Sequence, residues 1–170
     1  MTQVYMACLN VEGRRCLVIG DDEAARKETA SLRACGAAVV QIPAARYRRR
    51  ALRGALLVVA ATSDRLLNER IHRDAERRPM LCHVADAPDL SNVVLPAAHR
   101  AGTIAVAVPT GNASPILATN LRERIAALMH PARVDLTDDL RALRPWGRRR
   151  FQRYEERHAY FEEIVRERLS

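Results

Sequence analysis

Residues 16–42, CLVIGDDEAARKETASLRACGAAVVQI, place two short apolar runs on either side of a charged, amphipathic stretch. The first run ends at Gly20 and the second is stopped by Pro43, while Gly36 stands where a helix commonly ends in a left-handed residue. Short continuous apolar runs are typical of buried strands, and the charged stretch has helical periodicity. The segment therefore predicts a strand, a tight turn, a helix and a second strand, which is the βαβ unit of a parallel sheet.

Two more apolar runs follow, at residues 55–61 (ALLVVAA) and 80–84 (MLCHV). Between them, Thr62 or Ser63 can cap a helix that extends to about Arg73. Apolar strands that alternate with amphipathic helices build a parallel sheet covered on both faces. The predicted fold class is therefore α/β.

The alternation stops after residue 88. Residues 93–98 and 103–108 are strand-like runs joined by a turn at 99–102, which leaves no room for a helix and predicts a β-hairpin. Ser114 and Pro115 then match the N-cap and first-turn preferences of a helix. The apolar residues that recur along this helix are Ile116, Leu117, Leu121, Ile125 and Leu128.

From about Pro131 the chain is strongly polar, and residues 145–147 (PWG) predict a break. A last helix is predicted over residues 148–169, with an apolar edge that includes Phe161 and Val165. We therefore expect a small C-terminal helical region that is docked rather than free.

The composition excludes several classes of protein. No apolar stretch approaches the roughly 20 residues that span a bilayer, and residues 1–9 lack the basic start and apolar centre of a secretory signal. We expect a soluble, cytoplasmic protein with no membrane partner. The cysteines, at positions 8, 16, 35 and 82, lack the spacing of a zinc site or a disulfide scaffold, so we interpret them as buried free thiols and assign no metal site.

The formal net charge is +8, almost all of it from arginine, since Lys27 is the only lysine. Such a charge favours an anionic partner, whether nucleic acid, a membrane surface or a small polycarboxylate, but does not choose among them. Genome composition explains an arginine bias equally well.

Six segments, taken in order, resemble the NAD-dependent precorrin-2 dehydrogenases of siroheme synthesis, including the N-terminal module of siroheme synthase. They cover roughly residues 5–130 and are YMACLNVEGRRCLVIG (5–20), ARKETASLRACGA (25–37), AVVQIPA (38–44), LRGALLVVAATSDRLLNERI (52–71), MLCHVADAP with NVVLPA (80–97) and TIAVAVPTGNASPILATNLRERI (103–125). Each piece is short, and their specificity comes from the order of the set.

The resemblance implies a Rossmann-like NAD-binding domain over residues 1–108, a dimerisation segment over 109–132 and a small C-terminal helical region over 133–170. The predicted fold is thus a Rossmann-like parallel sheet with a hairpin and helix dimerisation extension. In this family NAD⁺ takes a hydride from precorrin-2 to give sirohydrochlorin, and some members also insert a metal. It thus implies an oxidoreductase with NAD as cofactor, a tetrapyrrole as small-molecule partner and a homodimer. The alternative is a relative that has lost dehydrogenation and binds a tetrapyrrole or metal-tetrapyrrole as chelatase, carrier or regulator. Nucleic-acid binding through the arginine clusters explains the charge but not the ordered resemblance.

The resemblance places the family's essential aspartate at Asp86. This residue follows the fourth predicted strand, and ligands of open α/β sheets bind beyond the carboxyl ends of the strands. Its apolar neighbours would raise its pKa, so that it acts as a base when hydride leaves or accepts pyrrole protons during metal insertion. From the residues alone, an ordinary turn after a strand stays open as the alternative.

The cofactor-binding residues are predicted around the turn that follows the first strand: Gly20, Asp21, Asp22 and Glu23. Ile19 and Asp21 stand where a dinucleotide fingerprint usually has glycines. A carboxylate and a phosphate about 4 Å apart repel by about 4 kcal/mol at an effective dielectric of 20. The helix dipole contributes only about 0.3–1 kcal/mol per charge, so the alternative is that these acids merely cap the helix.

Further cofactor-binding candidates follow the next two strands: Pro43 and Ala44, and Thr62 and Ser63. The interval from Pro43 to Ala55 is too short for the helix and extra strand that the family would place there, which suggests a reduced adenosine side. Arginines at 46 and 48–50 would meet a 2′-phosphate, a substrate carboxylate or only water.

Substrate-binding candidates come from two places. His83 lies in the fourth strand, where it would face the pocket. Thr110, Gly111, Asn112 and Ser114 form a turn at a helix N-terminus, which would receive tetrapyrrole carboxylates unless it is only a helix cap.

Overall fold

The structure is a computed structural model that describes residues 5–85, 87–111, 113–129 and 131–169. The strands are β1 (Arg15–Ile19), β2 (Ala38–Ile42), β3 (Leu57–Ala60), β4 (Leu81–Val84), β5 (Ala97–Ala101) and β6 (Ile104–Val108). The α-helices are α1 (Glu23–Ala34), α2 (Arg65–Glu76), α3 (Pro115–Ala126), α4 (Pro131–Arg150) and α5 (Tyr154–Leu169). The chain forms two compact units, one ending at Leu95 and the other beginning at Pro96.

The first unit contains a parallel sheet with strand order β2-β1-β3-β4. Ile19 is in register with Ile42 on one side and Ala60 on the other, and Ala60 is in register with Val84. All four strands therefore end at the same edge of the sheet. The predicted α/β fold class and its Rossmann-like parallel sheet are confirmed.

The two central strands are buried on both faces. Leu17 and Val58 face a core that α2 closes with Ile71, while Val18 and Val59 face a core that α1 closes with Leu32. Successive side chains of a strand point to opposite faces, so the fully buried residues of the two strands, 16–19 and 57–60, are all apolar. This explains the uninterrupted apolar runs of β1 and β3.

The cysteines divide by exposure. All four are free, and Cys16 and Cys82 are buried in the sheet as predicted. Cys35 is half-buried and Cys8 is exposed, so the prediction of burial is wrong for Cys8. Cys8 precedes β1 and belongs to neither apolar core.

The helix caps agree with the sequence at α1 but not at α2. The Asp22 carboxylate accepts a hydrogen bond from the Ala25 amide at 2.9 Å, and Gly36 follows α1 with φ +79°. At α2 the N-cap is Asp64, whose carboxylate accepts from the Leu67 amide at 3.1 Å, so the predicted caps Thr62 and Ser63 are wrong. The Thr62 hydroxyl instead donates to the Asn68 side-chain oxygen.

The interval from Pro43 to Ala55, all of it described, holds two short 3₁₀ helices, Ala44–Arg46 and Arg49–Leu52, and no strand. Tyr47 is only 2% exposed and belongs to the core of the α2 face. Its hydroxyl donates to the Asp74 carboxylate at 3.0 Å, and Arg49 pairs with the same carboxylate at 3.7 Å. One arginine of the cluster therefore fastens this segment to α2.

The second unit begins with the predicted hairpin, although its first strand is misplaced in the prediction. β5 starts at Ala97 rather than at residue 93, and the turn consists of Gly102 and Thr103. Residues before Pro96 pair elsewhere, because the Asn92 and Val93 amides donate to the Cys82 carbonyl of β4. Gly102 has φ +56°, and an added Cβ there would overlap the Val134 side chain of α4.

Helix α3 begins as predicted, with the Ser114 hydroxyl accepting from the Leu117 amide at 3.1 Å. It packs on the hairpin, and both belong to the compact unit that begins at Pro96. The predicted domain boundaries at residues 108 and 132 stay predictions. The hairpin and helix extension and the C-terminal helical region are both present.

The predicted break at residues 145–147 is wrong, because Pro145 and Gly147 lie inside α4 and the chain breaks at residues 151–153. Gly147 is buried against Phe161, where an added Cβ would lie 2.8 Å from the ring. Trp146 packs on Tyr160 with ring centroids 5.4 Å apart. This aromatic packing offsets the helical hydrogen bond that Pro145 cannot donate. Across the described ranges, no helix combines the length and apolar character needed to cross a membrane.

Candidate functional site at the carboxyl edge of the sheet

The sheet changes winding direction between β1 and β3, since β2 lies on one side of β1 and β3 on the other. Ligands of open α/β sheets bind at such a switch point, beyond the carboxyl ends of the strands. Gly20 follows β1 and Ala61 follows β3, so these two residues mark the crevice in this chain. The candidate site is therefore built outward from them.

Gly20 is required by packing at this point. Its φ is +139°, and an added Cβ would overlap the Ala61 carbonyl oxygen. The Gly20 amide donates to the Ile42 carbonyl at 2.9 Å, and the Ala61 amide donates to the Ile19 carbonyl at 2.9 Å. The turn is consequently fixed between the ends of three strands.

Two further polar side chains, which sequence reasoning missed, hold the turn. The Gln41 side-chain amide donates to the Gly20 carbonyl at 3.0 Å, and the buried Thr29 hydroxyl donates to the Gln41 side-chain oxygen at 3.1 Å. The available signal was a single polar residue in the apolar run of β2. Thr29 and Gln41 thus link α1 and β2 to the nucleotide-type turn.

The charges at the turn differ from those of a phosphate-binding loop. Asp21, Asp22 and Glu23 are all exposed at the N-terminus of α1. Asp22 occupies the Ala25 amide, and the Arg26 guanidinium donates to the Asp21 backbone carbonyl at 2.7 Å. A glycine turn at a helix N-terminus is the usual place for a dinucleotide pyrophosphate, whereas three carboxylates against one guanidinium oppose its charge. The predicted capping role is confirmed for Asp22.

The candidates after β2 and β3 lie at the same edge. The Pro43 carbonyl accepts from the Arg46 amide at 3.0 Å, which places Ala44 in the first turn of a 3₁₀ helix. The Thr62 hydroxyl donates to the side-chain oxygen of buried Asn68 at 2.7 Å. Ser63, next to Thr62, is exposed. The structure therefore brings the predicted cofactor-binding residues of three strand ends to one edge.

Asp86 lies outside the described residues, and its two neighbours are held by backbone hydrogen bonds. The Ala85 amide donates to the Ala60 carbonyl at 2.9 Å, and the Ala87 amide donates to the Val84 carbonyl at 3.3 Å. The loop that leaves β4 therefore begins at the carboxyl edge of the sheet, next to the end of β3. This is the edge that carries the Gly20 turn.

Ser91 and Asn92 complete the free side of β4. The Ser91 hydroxyl accepts from the Val84 amide at 2.9 Å, and the Asn92 side-chain oxygen accepts from the Cys82 amide at 2.7 Å. The Asn92 side-chain amide also donates to the Met80 carbonyl at 3.2 Å. These side chains pair with backbone groups of the edge strand β4 that a fifth strand would otherwise bind. They also fix the end of β4 and the start of the segment that follows its loop.

His83 is half-buried on β4, and its Nδ1 donates to the Val93 carbonyl at 3.2 Å. A carbonyl only accepts, so this contact fixes the proton on Nδ1. The imidazole thus anchors the segment of residues 91–93 to β4.

The remaining substrate candidates belong to the second unit. The Thr110 hydroxyl donates to the Ser114 carbonyl at 3.2 Å, and the Thr110 carbonyl accepts from the Ala113 amide at 3.0 Å. Gly111 has φ +59°, and Asn112 lies outside the described residues. Ser114 is the N-cap of α3, so a capping role is present at this turn.

A family described as "Putative NAD(P)-binding" matches residues 7–97, more than half of the chain. The chain belongs to this NAD(P)-binding family. The match spans all four strands of the parallel sheet and the Gly20 turn, and it supports the predicted cofactor class.

Siroheme synthases are among the relatives of this NAD(P)-binding chain. It is 32% identical to siroheme synthase of Nitrosomonas eutropha over 92% of this chain and 37% of that protein. It is 32% identical to the enzyme of Nitrosococcus oceani over 73% of this chain and 31% of that protein. The chain thus spans about a third of the length of the curated relatives it matches.

A solved structure titled SirC, precorrin-2 dehydrogenase, superposes with a TM-score of 0.78 over 98% of this chain and 93% of that one. The sequence identity is 22%, so this likeness establishes the fold. The resemblance to the precorrin-2 dehydrogenase and siroheme synthase family is confirmed by the three comparisons together.

Proposed function

We propose that this protein acts in siroheme biosynthesis and oxidises precorrin-2 to sirohydrochlorin with NAD as hydride acceptor. The observation that carries the proposal is the shared sheet edge at which β1 leads into the Gly20 turn and β4 ends just before Ala85. A hydride acceptor at the turn and a proton acceptor after β4 would then act along one edge. The names of the relatives, siroheme synthase and precorrin-2 dehydrogenase, point to the same reaction.

Oxidation of precorrin-2 removes a hydride and a proton. NAD⁺, when bound, accepts the hydride. We assign the proton to the Asp86 carboxylate, which the resemblance identifies and which follows the apolar end of β4. The alanines on either side of it, Ala85 and Ala87, carry no ionisable group, so Asp86 is the base that this part of the chain offers.

The carboxylates at the α1 N-terminus favour a second candidate function. In this version the protein has lost dehydrogenation and binds a tetrapyrrole or metal-tetrapyrrole as chelatase, carrier or regulator. Asp21 and Glu23 are exposed beside the turn, and Asp22 already occupies one of the amide donors that a phosphate would need. Loss of dinucleotide affinity would leave the tetrapyrrole side of the site intact.

We also propose a homodimer formed through the second unit. Helix α3 leaves apolar side chains in water, with Ile116 84% and Leu117 50% exposed, and Leu128 just beyond its end is 62% exposed. Large apolar side chains left exposed in this way are typical of interaction sites. Ile116→Asp should shift the mass in light scattering from dimer to monomer, whereas a monomeric wild-type chain would overturn this assignment.

The test of function uses the wild-type chain, Asp86→Asn and the matched control Asp89→Asn, a carboxylate in the same loop. NAD⁺ and NADP⁺ binding is measured by calorimetry, and precorrin-2 oxidation is followed by the absorbance of NADH and sirohydrochlorin. We expect nucleotide binding in all three proteins and turnover that is lost only in Asp86→Asn.

Two other outcomes are informative. Sirohydrochlorin binding without measurable nucleotide affinity would replace the dehydrogenase by the second candidate. Turnover that Asp86→Asn leaves unchanged would overturn the catalytic assignment while leaving the family membership as it stands.

A further inference from the structure

A cavity of about 560 Å³ lies between α4 and α5, within the second unit. Leu140, Phe161 and Val165 give it an apolar lining, and Arg144, Arg148 and Arg157 bring guanidinium groups to it. Its volume falls in the range of about 300–1,000 Å³ that is usual for small-molecule sites. Neither the sheet nor the Gly20 turn contributes to this cavity.

The positions of these residues follow from helical geometry. Leu140, Arg144 and Arg148 are spaced four residues apart and therefore share one face of α4. Phe161 and Val165 have the same spacing on α5, with Arg157 one turn earlier. The sides of α4 and α5 that line the cavity therefore each combine apolar side chains with arginines.

The arginines of α4 are available to a ligand. Among the described residues, no ion pair or hydrogen bond engages the guanidinium of Arg144 or of Arg148. On the same two helices, Arg141 pairs with Asp138 at 3.1 Å and Arg168 pairs with Asp139 at 3.2 Å. Acids are therefore present nearby, and they pair with arginines that do not line the cavity.

The third arginine is held in place. Arg157 donates to the Phe151 carbonyl at 3.2 Å, and its guanidinium lies 5.8 Å from the centre of the Tyr154 ring. A guanidinium that is already ordered loses less entropy when it binds an anion. Tyr154, 65% exposed, adds an aromatic face at the rim.

One carboxylate lines the cavity, and its charge is balanced. Glu162 lies 3.7 Å from His158 and 3.8 Å from Arg166. Three arginines against this single acid give the cavity a net positive charge. Such a field attracts ligands with several negative charges.

We propose that the α4–α5 cavity binds the carboxylate-bearing edge of a flat, apolar-faced polycarboxylate, which is the chemistry of a tetrapyrrole with acidic side chains. Guanidinium groups bind carboxylates through paired hydrogen bonds, and the apolar lining accommodates the ring edge between them. In naming a tetrapyrrole the inference rests on the proposed function. It adds a second recognition site for that ligand class, separate from the Gly20 turn.

The test uses uroporphyrin, a porphyrin with eight carboxylates, titrated against the full chain by fluorescence at physiological ionic strength. The cavity variant is Arg144→Gln/Arg148→Gln, and the matched control is Arg149→Gln/Arg150→Gln, which removes the same charge from α4 outside the cavity lining. We expect the cavity variant to weaken binding at least tenfold and the control to change it less than twofold. Circular dichroism checks that both variants keep their helices.

Each alternative outcome separates the possibilities. Equal losses in both variants would indicate general charge attraction and would overturn the site, as would displacement of uroporphyrin by millimolar inorganic phosphate. Binding of single-stranded RNA in preference to uroporphyrin would assign the arginines to nucleic acid instead. Uroporphyrin binding is measured without NAD and in Asp86→Asn as well. If precorrin-2 oxidation fails while uroporphyrin binding still depends on Arg144 and Arg148, only the proposed reaction is overturned and the cavity assignment stands.

Discussion

The Tyr47 hydroxyl donates a hydrogen bond to the Asp74 carboxylate at 3.0 Å and joins the segment after β2 to α2. Burial raises the pKa of Tyr47, and the hydrogen bond and negative charge of Asp74 raise it further. The contact lies beneath the arginine cluster at residues 46–50, so part of that cluster is structural. It holds the segment between β2 and β3 against α2.

Tyr47→Phe should lower the free energy of unfolding by about 1.5–3 kcal/mol, the usual contribution of a hydrogen bond to a charged group. Urea denaturation measures the change, with Tyr5→Phe as a control because Tyr5 is 95% exposed. Equal stability of the two variants would show that the contact contributes nothing.

The same tyrosine predicts a pH dependence. Its folded pKa lies above the unfolded value of about 10, so its contribution to stability is complete below pH 10 and is lost as the pH rises further. The unfolding free energy of the wild type should therefore fall above pH 10 by up to about 1.4 kcal/mol per pH unit more steeply than that of Tyr47→Phe. Parallel curves would contradict this assignment.

Gly20→Ala should destabilise the protein more than Gly54→Ala. Both glycines have positive φ, but an added Cβ at Gly20 meets the Ala61 carbonyl, whereas Gly54 has nothing within 4 Å. We expect a loss of about 1–2 kcal/mol at Gly54 from backbone strain alone, and a larger loss at Gly20. Thermal denaturation of both variants compares them directly, and the reverse order would show that the turn relaxes freely.

Asp21→Asn should strengthen NAD⁺ binding at least tenfold, because it removes one carboxylate beside the turn without changing its shape. Calorimetry measures the dissociation constant, and Glu28→Gln, later on the same helix, serves as control. If both variants bind NAD⁺ like the wild type, the pyrophosphate does not approach the α1 N-terminus.

Asn92→Ala should destabilise the protein by about 1–3 kcal/mol, since the Cys82 amide would lose its acceptor. Because Asn92 also holds the loop around position 86, we expect kcat for precorrin-2 oxidation to fall with little change in KM. Asn92→Asp keeps the acceptor oxygen and should restore part of the kcat. If kcat does not fall in Asn92→Ala, or does not partly recover in Asn92→Asp, Asn92 has no positioning role.

The thiols provide an independent check of the fold. Burial raises the pKa of Cys82 to about 11, and burial also raises the pKa of Cys16. A thiol reagent such as Ellman's reagent should therefore modify exposed Cys8 rapidly in the native protein and reach Cys16 and Cys82 only after unfolding. Fast reaction of Cys82 would mean that β4 is open to solvent.

Sequence reasoning located most of the regular elements and part of the candidate site. The residues of β2 were predicted to the residue, and the cap of α1 and the start of α3 follow from local preferences of Asp22 and Ser114. Gly20 was singled out as a nucleotide residue, yet its conformation is required by the Ala61 carbonyl, which lies far from it in sequence. Gln41, Asn68 and Asn92 were missed because their hydrogen-bond partners, on Gly20, Thr62 and Cys82, are set by the tertiary structure and not by the local sequence.

The sequence by itself determined the α/β class, the order of strands and helices, and the resemblance that identifies the family, because each depends on periodicity or on short local patterns. Only the tertiary structure decided where the hairpin belongs, how α4 continues through Pro145, and which side chains finish the edge of β4. Those outcomes depend on contacts between residues distant along the chain, such as Gly147 with Phe161 and Asn92 with Cys82. Local preference is a fraction of a kilocalorie per residue, and packing of this kind overrides it.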